Sequence, residues 1–454
     1  MVKISIIGAG SAMFSMAFIR DLCLTRSLGG NTVELMDIDR ERLEIVCGLA
    51  QRYKKEVKAD IEFERTTNRR EALMDADFVL CVGKVIDYDS MEAERRISEC
   101  YGFYRGLGDR VCDYYGGVGA YYQLRLFLDL AKDMELICPD AWLIETANPV
   151  FEGTTLVTRE TAIKTVGVCH GHLAVRDIIR TLCLDPQNSK SQAVGFNHCI
   201  WMTHFLHKGE DAYPLIDEWT EKKAERYWKS EEYLKGLPWD CEQMSPGAVD
   251  TYKIFGLFPI GDTVRAMSPW WHHTDQMTKT RWFGPTGGFD SEIGWAMYLD
   301  RHNAKLKRMV ELAQHPDLAV TGEFPPVLSG EQHIPIIDAI VNDRETLLQL
   351  NLPNGGSISG IPDDVVVEIP VVASARGLQG INVGKLPSRL MQYAIRPRLR
   401  RMEQILQAYL ERDRESLVLM NMEDPRAKSF DQTQALLDEL LSQPWNAEAA
   451  KHYE

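Results

Sequence analysis

The chain has 454 residues, 45% of them hydrophobic and 26% charged, with a formal net charge of −15 at pH 7. Such an acidic balance offers no basic face to nucleic acid or an anionic membrane, and no apolar run reaches the roughly 18 residues that span a bilayer. The length favours two joined domains, and the repeats or low-complexity tracts of a solenoid or a disordered scaffold are absent.

In chain order, strand candidates are Lys3 to Gly8, the run ending at Asp37, those ending at Gly83 and Asn148, and one ending at His170. Helical patterns lie between them, for example from Asp39 to about Tyr53 and from Gly119 to Asp133. Short β-rich runs alternating with helices predict βαβ units and a parallel sheet, with ligands outside the carboxyl ends of its strands. Asp37, Asn148, Cys169 and His170 close strands at that edge. Beyond about Asn197 the rhythm changes. IWMTHFLHKGEDAYP reads as a strand entering a turn, and Leu215 to Leu234 reads as helical. Pro/Gly-rich loops lie near Pro325 to Gly330 and Pro353 to Pro362. Val365 to Val372 is a strand that Pro370 would confine to a sheet edge. Helical patterns follow from Pro387 to Asp413 and from Gln432 to Leu441.

The expected architecture is α/β: a Rossmann-like parallel-sheet domain over residues 1–196, then a mixed α+β domain over residues 197–454 that completes the site. The last helices offer faces for a homo-oligomer, a dimer or tetramer. Ten cysteines without paired spacing read as reduced thiols, and MVKISIIGAGSAMF has no signal-peptide pattern, which together predict a cytoplasmic protein.

Gly8-Ala9-Gly10-Ser11 follows the first strand and opens a helix. The first glycine permits the tight turn, and the second lets backbone N–H groups approach a pyrophosphate at the helix N-terminus. Asp37 ends the second strand, at the spacing that bonds a ribose 2′-hydroxyl and repels a 2′-phosphate, so NAD is expected over NADP. Met13 stands where the third glycine of the fingerprint would be. The bland alternative is an ordinary glycine turn with Asp37 as a turn residue.

A second constellation sits at strand ends: Thr146-Ala147-Asn148-Pro149, Val168-Cys169-His170-Gly171-His172 and Gly195-Phe196-Asn197-His198. A thiolate and an imidazole from neighbouring strand ends can hold one divalent ion with open positions for substrate oxygens. By residue type alone, the Cys is equally a buried small hydrophobe and each His a satisfied structural group.

Taken with Ile260-Gly261-Asp262-Thr263-Val264-Arg265, these motifs resemble glycoside hydrolase family 4, the NAD- and manganese-dependent glycosidases. The likeness runs in order from residue 3 to about residue 440. The His after the presumptive metal Cys, with Tyr104-Arg105-Gly106 and the GDTVR segment, most resembles the α-glucuronidase and α-galacturonidase branch. The resemblance implies NAD and Mn²⁺ as cofactors, a small carbohydrate as substrate, and Cys169 and His198 as metal ligands. It implies oxidation at sugar C3, removal of the C2 proton, elimination of the leaving group, addition of water and return of the hydride. This family is an exception to the usual pair of carboxylates. Asp262 matches the C2 base, where some relatives use a Tyr; its alternative is an N-cap. His170 would protonate the leaving oxygen or only bond a hydroxyl. Asn148 and Asn197 would bond sugar hydroxyls, with Asn148 also near the nicotinamide. A uronate carboxylate calls for an arginine fork, with Arg105 first and Arg265 second. Arg265 is alternatively the residue that orients the base. His272 and His273, beside Trp270 and Trp271, are candidates for the aglycone side. A plain hydroxy-acid or polyol dehydrogenase is the rival reading.

Overall fold

The computed structural model describes residues 2–103 and 118–454. Six short strands, β1 (Lys3–Ile7), β2 (Asn31–Met36), β3 (Ile61–Thr66), β4 (Phe78–Cys81), β5 (Trp142–Glu145) and β6 (Lys164–Gly167), pair in parallel in the order β3-β2-β1-β4-β5-β6. That is the order of a dinucleotide-binding sheet, with its reversal beside β1. The inner strands β1, β4 and β5 are buried on both faces and read as largely apolar runs. Phe78 and Leu80 of β4 join a core with Phe18 and Val46 of the helices Ser15–Leu24 and Arg40–Val57. Val79 and Cys81 point the other way, against Phe127 and Met134 of the helix Val118–Ile137.

The second half prolongs the same sheet. β7 (Ser189–Phe196) and β8 (Cys199–His207) form a hairpin with β9 (Glu210–Asp211) and β10 (Phe258–Ile260) on β8. β11 (Thr346–Pro353) and β12 (Val366–Ser374) enter between β6 and β7, and β13 (Gly377–Gly380) pairs with β12. All these added pairings are antiparallel. The α/β class and the mixed second half are as expected.

Several elements differ from expectation. The strands β3, β7, β9, β10, β11 and β13 add to those expected from the sequence; Glu62, Glu64 and Arg65 make β3 polar, as suits a sheet edge. The strand around Pro370 is not an edge strand, because β12 lies between β11 and β7. The Pro370 carbonyl accepts from Ile381 N at 2.9 Å. The missing N–H therefore faces the flank where pairing passes from β7, at Glu368, to β13, at Val371, and no ladder bond is lost. The helical stretch from Leu215 to Leu234 is three short helices, Tyr213–Lys222, Ala224–Tyr227 and Glu231–Leu234, the last capped by Ser230. The long pattern from Pro387 holds a π-turn at Met391–Ile395 before the helix Arg396–Glu411. Among the described residues, no helix is long and apolar enough to cross a membrane.

The helix Val150–Glu160 crosses the helix Val118–Ile137 at Gly153, where a Cβ would overlap the Phe127 ring and Glu145 Oε1. Crowding of this kind costs about 1–3 kcal/mol, more than the roughly 1 kcal/mol that Ala gains over Gly in a helix. Gly153→Ala is expected to lower the urea midpoint with an unchanged m-value. An unchanged midpoint would contradict this packing.

Candidate active site at the carboxyl edge of the sheet

The glycine turn is built by backbone geometry. Gly8 has φ +89° and lies so near Gly83 that a side chain would overlap its backbone. The amides of Gly8 and Ala9 both donate to Met36 O at 2.9 Å, which ties β1 to β2. Asp37, half-buried past β2, accepts from Gly10 N at 2.7 Å and from Asp39 N at 2.9 Å. Ser11 N donates back to Gly8 O at 3.1 Å, and the helix Ser15–Leu24 starts just beyond. Ser15 N donates to Ser11 O at 3.3 Å, and a helix start placed after a glycine turn is suited to receive an anion.

The ends of β5 and β6 are locked together. Thr146 N donates to Cys81 O at 3.1 Å and its Oγ1 to Val168 O at 2.9 Å. Asn148, half-buried, follows on one side; Cys169 and His170 follow on the other. Gly171 N donates to Cys169 Sγ at 3.4 Å.

The β7–β8 turn is Asn197-His198. His198 has φ +58°, a left-handed conformation uncommon for a residue with a side chain and typical of functional sites. Its ring hydrogen-bonds Cys169, and its Nε2 lies 2.9 Å from Asp262 Oδ2. Asp262 arrives from β10 through Gly261, at φ +61°, where a Cβ would stand 2.6 Å from Gly171 O. Only glycine allows that approach, and it sets Asp262 beside Cys169 and His170. Asp262 occupies the N-cap position of the helix Thr263–Ala266 yet makes no capping bond. Its second oxygen pairs with Arg265 Nη2 at 2.7 Å. Arg265 also pairs with Glu242 at 2.9 Å and Asp290 at 2.7 Å, and its guanidinium lies 4.7 Å over the Phe289 ring.

His170 Nδ1 lies 3.3 Å from Glu331 Oε1. Glu331 sits in the Pro/Gly-rich loop, which Ser329 fastens to Asp21 through its amide at 2.7 Å and its hydroxyl. The His170 side chain is 60% accessible and so is open to a ligand at this edge. Charge follows these contacts. Glu331 raises the His170 imidazole to about 9. Burial would lift the Asp262 carboxyl, but Arg265 and then His198 and His170 hold it well below the usual carboxylate range. Burial disfavours charge on His198, and Asp262 and Cys169 more than reverse this. Glu242 and Glu368 are pushed up to about 7 by burial.

Cys169, His170, His198, Asp262 and Arg265 thus meet at one place, from three separate stretches of chain. Asn197 is 2% exposed, its amide nitrogen 3.3 Å from Glu368 Oε2 behind the site. Arg105 lies outside the described residues. His272 and His273 do not line a cleft: both rings are buried, stacked on Trp282 and Phe283, while Trp270 and Trp271 face outward. Glu331, Glu242, Asp290 and Glu368 were not anticipated. Each is a single acid with no periodic or motif signal, and only Glu331, directly after Ser329-Gly330, closes a loop that had been noticed. Among the described residues, no group of three or more His, Cys, Asp or Glu side chains is arranged to hold a metal ion, so Cys169 and His198 stand as a pair of donors.

Residues 3–184 match the family 4 glycosyl hydrolases, and residues 193–427 match the C-terminal domain of that family. The α-galacturonidase of Thermoanaerobacter italicus is 25% identical over 97% of this chain and 96% of its own. The α-galactosidase of Bacillus subtilis is 24% identical over 94% of each. The structure of a 6-phospho-β-glucosidase from Thermotoga maritima with manganese, NAD⁺ and glucose-6-phosphate superposes with a TM-score of 0.74 at 18% identity, over 100% of this chain and 99% of that one. With both parts of the family pattern matched along most of its length, this chain belongs to glycosyl hydrolase family 4.

Proposed function

We propose that this chain hydrolyses α-glycosides of uronic acids, α-galacturonides or α-glucuronides, with NAD at the glycine loop and Mn²⁺ at Cys169 and His198. The observation that carries this reading is the meeting of Cys169, His198 and Asp262 at the sheet edge that also bears the glycine turn. The substrate class rests on the α-galacturonidases among the relatives. Residues 1–196 serve the dinucleotide, and residues 197–454 supply the substrate side and the contacts of a cytoplasmic homo-oligomer.

The donor chemistry suits a divalent ion. A thiol and an imidazole already in hydrogen-bonding contact address one point, and two protein donors leave positions for substrate oxygens. When bound, the ion supplies a Lewis acid for the C2 and C3 oxygens and the dinucleotide a reversible hydride acceptor. Asp262 accepts the C2 proton, and Arg265 keeps that carboxylate ionised and aimed. His170, held through Nδ1 by Glu331, presents its other nitrogen to the leaving oxygen. Asn148 bonds a sugar hydroxyl beside the nicotinamide. Asn197, its amide nitrogen engaged by Glu368, offers its side-chain carbonyl to another hydroxyl. Arg265 is saturated by three carboxylates, which leaves Arg105 for the substrate carboxylate.

Cys169→Ala should abolish turnover and manganese binding, followed by the Mn²⁺ paramagnetic signal, while NAD⁺ affinity stays within about twofold of the parent. Near-normal turnover in that variant would remove Cys169 from the metal site. In D₂O, deuterium should appear at C2 of the released sugar, and Asp262→Asn should slow its entry by at least about 100-fold, the scale of a lost general base. Product without C2 deuterium is the result of direct displacement and would sink the mechanism.

A neutral α-galactosidase is the second reading, favoured by the Bacillus subtilis relative. Given NAD⁺, Mn²⁺ and a reductant, an aryl α-galacturonide should exceed the matching α-galactoside in kcat/KM by about 100-fold, as when one charge-assisted recognition pair is lost. A preference for the neutral sugar decides for the second reading, and net NADH release would mark a plain dehydrogenase.

A further inference from the structure

The helix Glu292–Gln314 packs on the helix Arg40–Val57 and reaches the glycine-loop segment through Lys305. Trp295, Tyr298, His302 and Lys305 recur at the spacing of a single helical stripe. The first three close on Tyr88, whose ring centroid is 5.9, 6.1 and 5.0 Å from theirs, and the hydroxyls of Tyr88 and Tyr298 are 3.2 Å apart. Lys84, immediately after Gly83, places its ammonium 3.4 Å from the centre of the same ring. Lys305 reaches further, with Nζ 3.9 Å from Met13 Sδ, the residue that replaces the third glycine. Met13 stands two residues before the helix Ser15–Leu24, so the Lys305 ammonium is directed at the positive end of that helix.

This placement is unfavourable by itself. Lys305 is half-buried, and among the described residues no carboxylate pairs with it. Its charged neighbours are Arg301 and Arg20, and burial and these cations lower its proton affinity. Burial lowers His302 as well, and Arg42, Lys84 and Lys305 add to the effect. Asp87, Asp39 and Asp21 balance Lys84, Arg42 and Arg20, whereas Lys305 faces a helix N-terminus with no carboxylate of its own among the described residues, a placement that becomes favourable with an anion between them. A dinucleotide on the glycine turn places its diphosphate there.

We propose that Lys305, assisted by His302, is the second wall of the diphosphate site and grips the cofactor from the C-terminal half of the chain. This rests on the reading that NAD binds at the glycine loop. The departure at Met13 then has a purpose: a long, soft side chain props the lysine over the loop, and the charge supplies what the shortened glycine fingerprint does not.

The test measures binding to the full-length protein by quenching of its tryptophan fluorescence, with NAD⁺, ADP-ribose and adenosine as probes. Lys305→Gln should weaken NAD⁺ and ADP-ribose by about tenfold or more, the scale of a lost charge-assisted hydrogen bond. It should leave adenosine, which has no phosphate, unchanged. Lys305→Arg should keep NAD⁺ within about threefold, and the dependence of NAD⁺ affinity on salt should be shallower in Lys305→Gln. Without cofactor, the melting temperature of Lys305→Gln should equal or exceed the parent's, because an uncompensated cation has been removed; a residue with a merely structural role would lower it. NAD⁺ affinity within twofold of the parent in Lys305→Gln, or an equal loss of adenosine binding, overturns the proposal alone. A parent that binds no NAD⁺ overturns the cofactor reading and this proposal with it.

Discussion

Asp262 bridges His198 at 2.9 Å and Arg265 at 2.7 Å, and the charge state of the whole site depends on that bridge. Arg265 gathers three carboxylates, Asp262, Glu242 and Asp290, with one positive charge. Buried charges left unbalanced cost several kcal/mol, about the scale of losing one partner of a buried pair, so the excess must be relieved. The surroundings relieve it unequally. Glu242 is enclosed, and burial lifts it to about 7. Asp262 has a second partner in His198 and stays ionised. Burial thus raises Glu242 while Arg265 and His198 lower Asp262, and the acid whose carboxylate form is favoured is the one that faces Cys169 and His170.

The bridge exists because of where the sheet is interrupted. β11 and β12 come late in the sequence, yet they lie between β6 and β7. That insertion sets the β7–β8 hairpin antiparallel to its neighbour and turns its Asn197-His198 tip toward the edge where β5 and β6 end. The Gly261–Gly171 contact fastens the other side, with the two backbones too close for any side chain at Gly261. Strain at His198 and the absence of a Cβ at Gly261 serve one end, which is to bring imidazole and carboxylate together at the thiol.

The parts of this site legible in the sequence are those encoded locally. The glycine turn, Asp37 and the residues closing β5 and β6 sit where chain direction alone puts them, at the carboxyl ends of parallel strands. The Asn197-His198 tip reads as a strand end, but its partnership with Cys169 and the place of the GDTVR segment rest on resemblance, since nothing in their spacing brings them together. Glu331 and Asp290 act across more than a hundred and about two dozen residues respectively, on His170 and Arg265. A lone acid in a loop has no periodicity to betray it, and its partner is fixed only by tertiary packing. The same limit explains Pro370. Its edge-strand reading follows correctly from the missing N–H, but the flank of β12 is divided between two partners and the proline falls at the division. His272 and His273 looked polar enough for a cleft, whereas stacking on Trp282 and Phe283 takes both rings into the core.

A net charge of −15 would by itself repel a dinucleotide and a uronic acid alike. Such repulsion is long-ranged only at low salt, because charges beyond about 8 Å are largely screened at physiological ionic strength. Affinity for an anion is decided at contact, where cations are partly stripped of water and screened least. The cleft is divided accordingly. Lys84, His302 and Lys305 gather above the glycine turn, and Cys169, His198 and Asp262 gather at the far ends of β6, β8 and β10. His170 lies between the two groups, its ring centroid 6.5 Å from that of Phe14 at the start of the helix on the glycine side, and its Nδ1 on Glu331. The local cations, and not the net charge, therefore govern how an anion is received at the glycine turn.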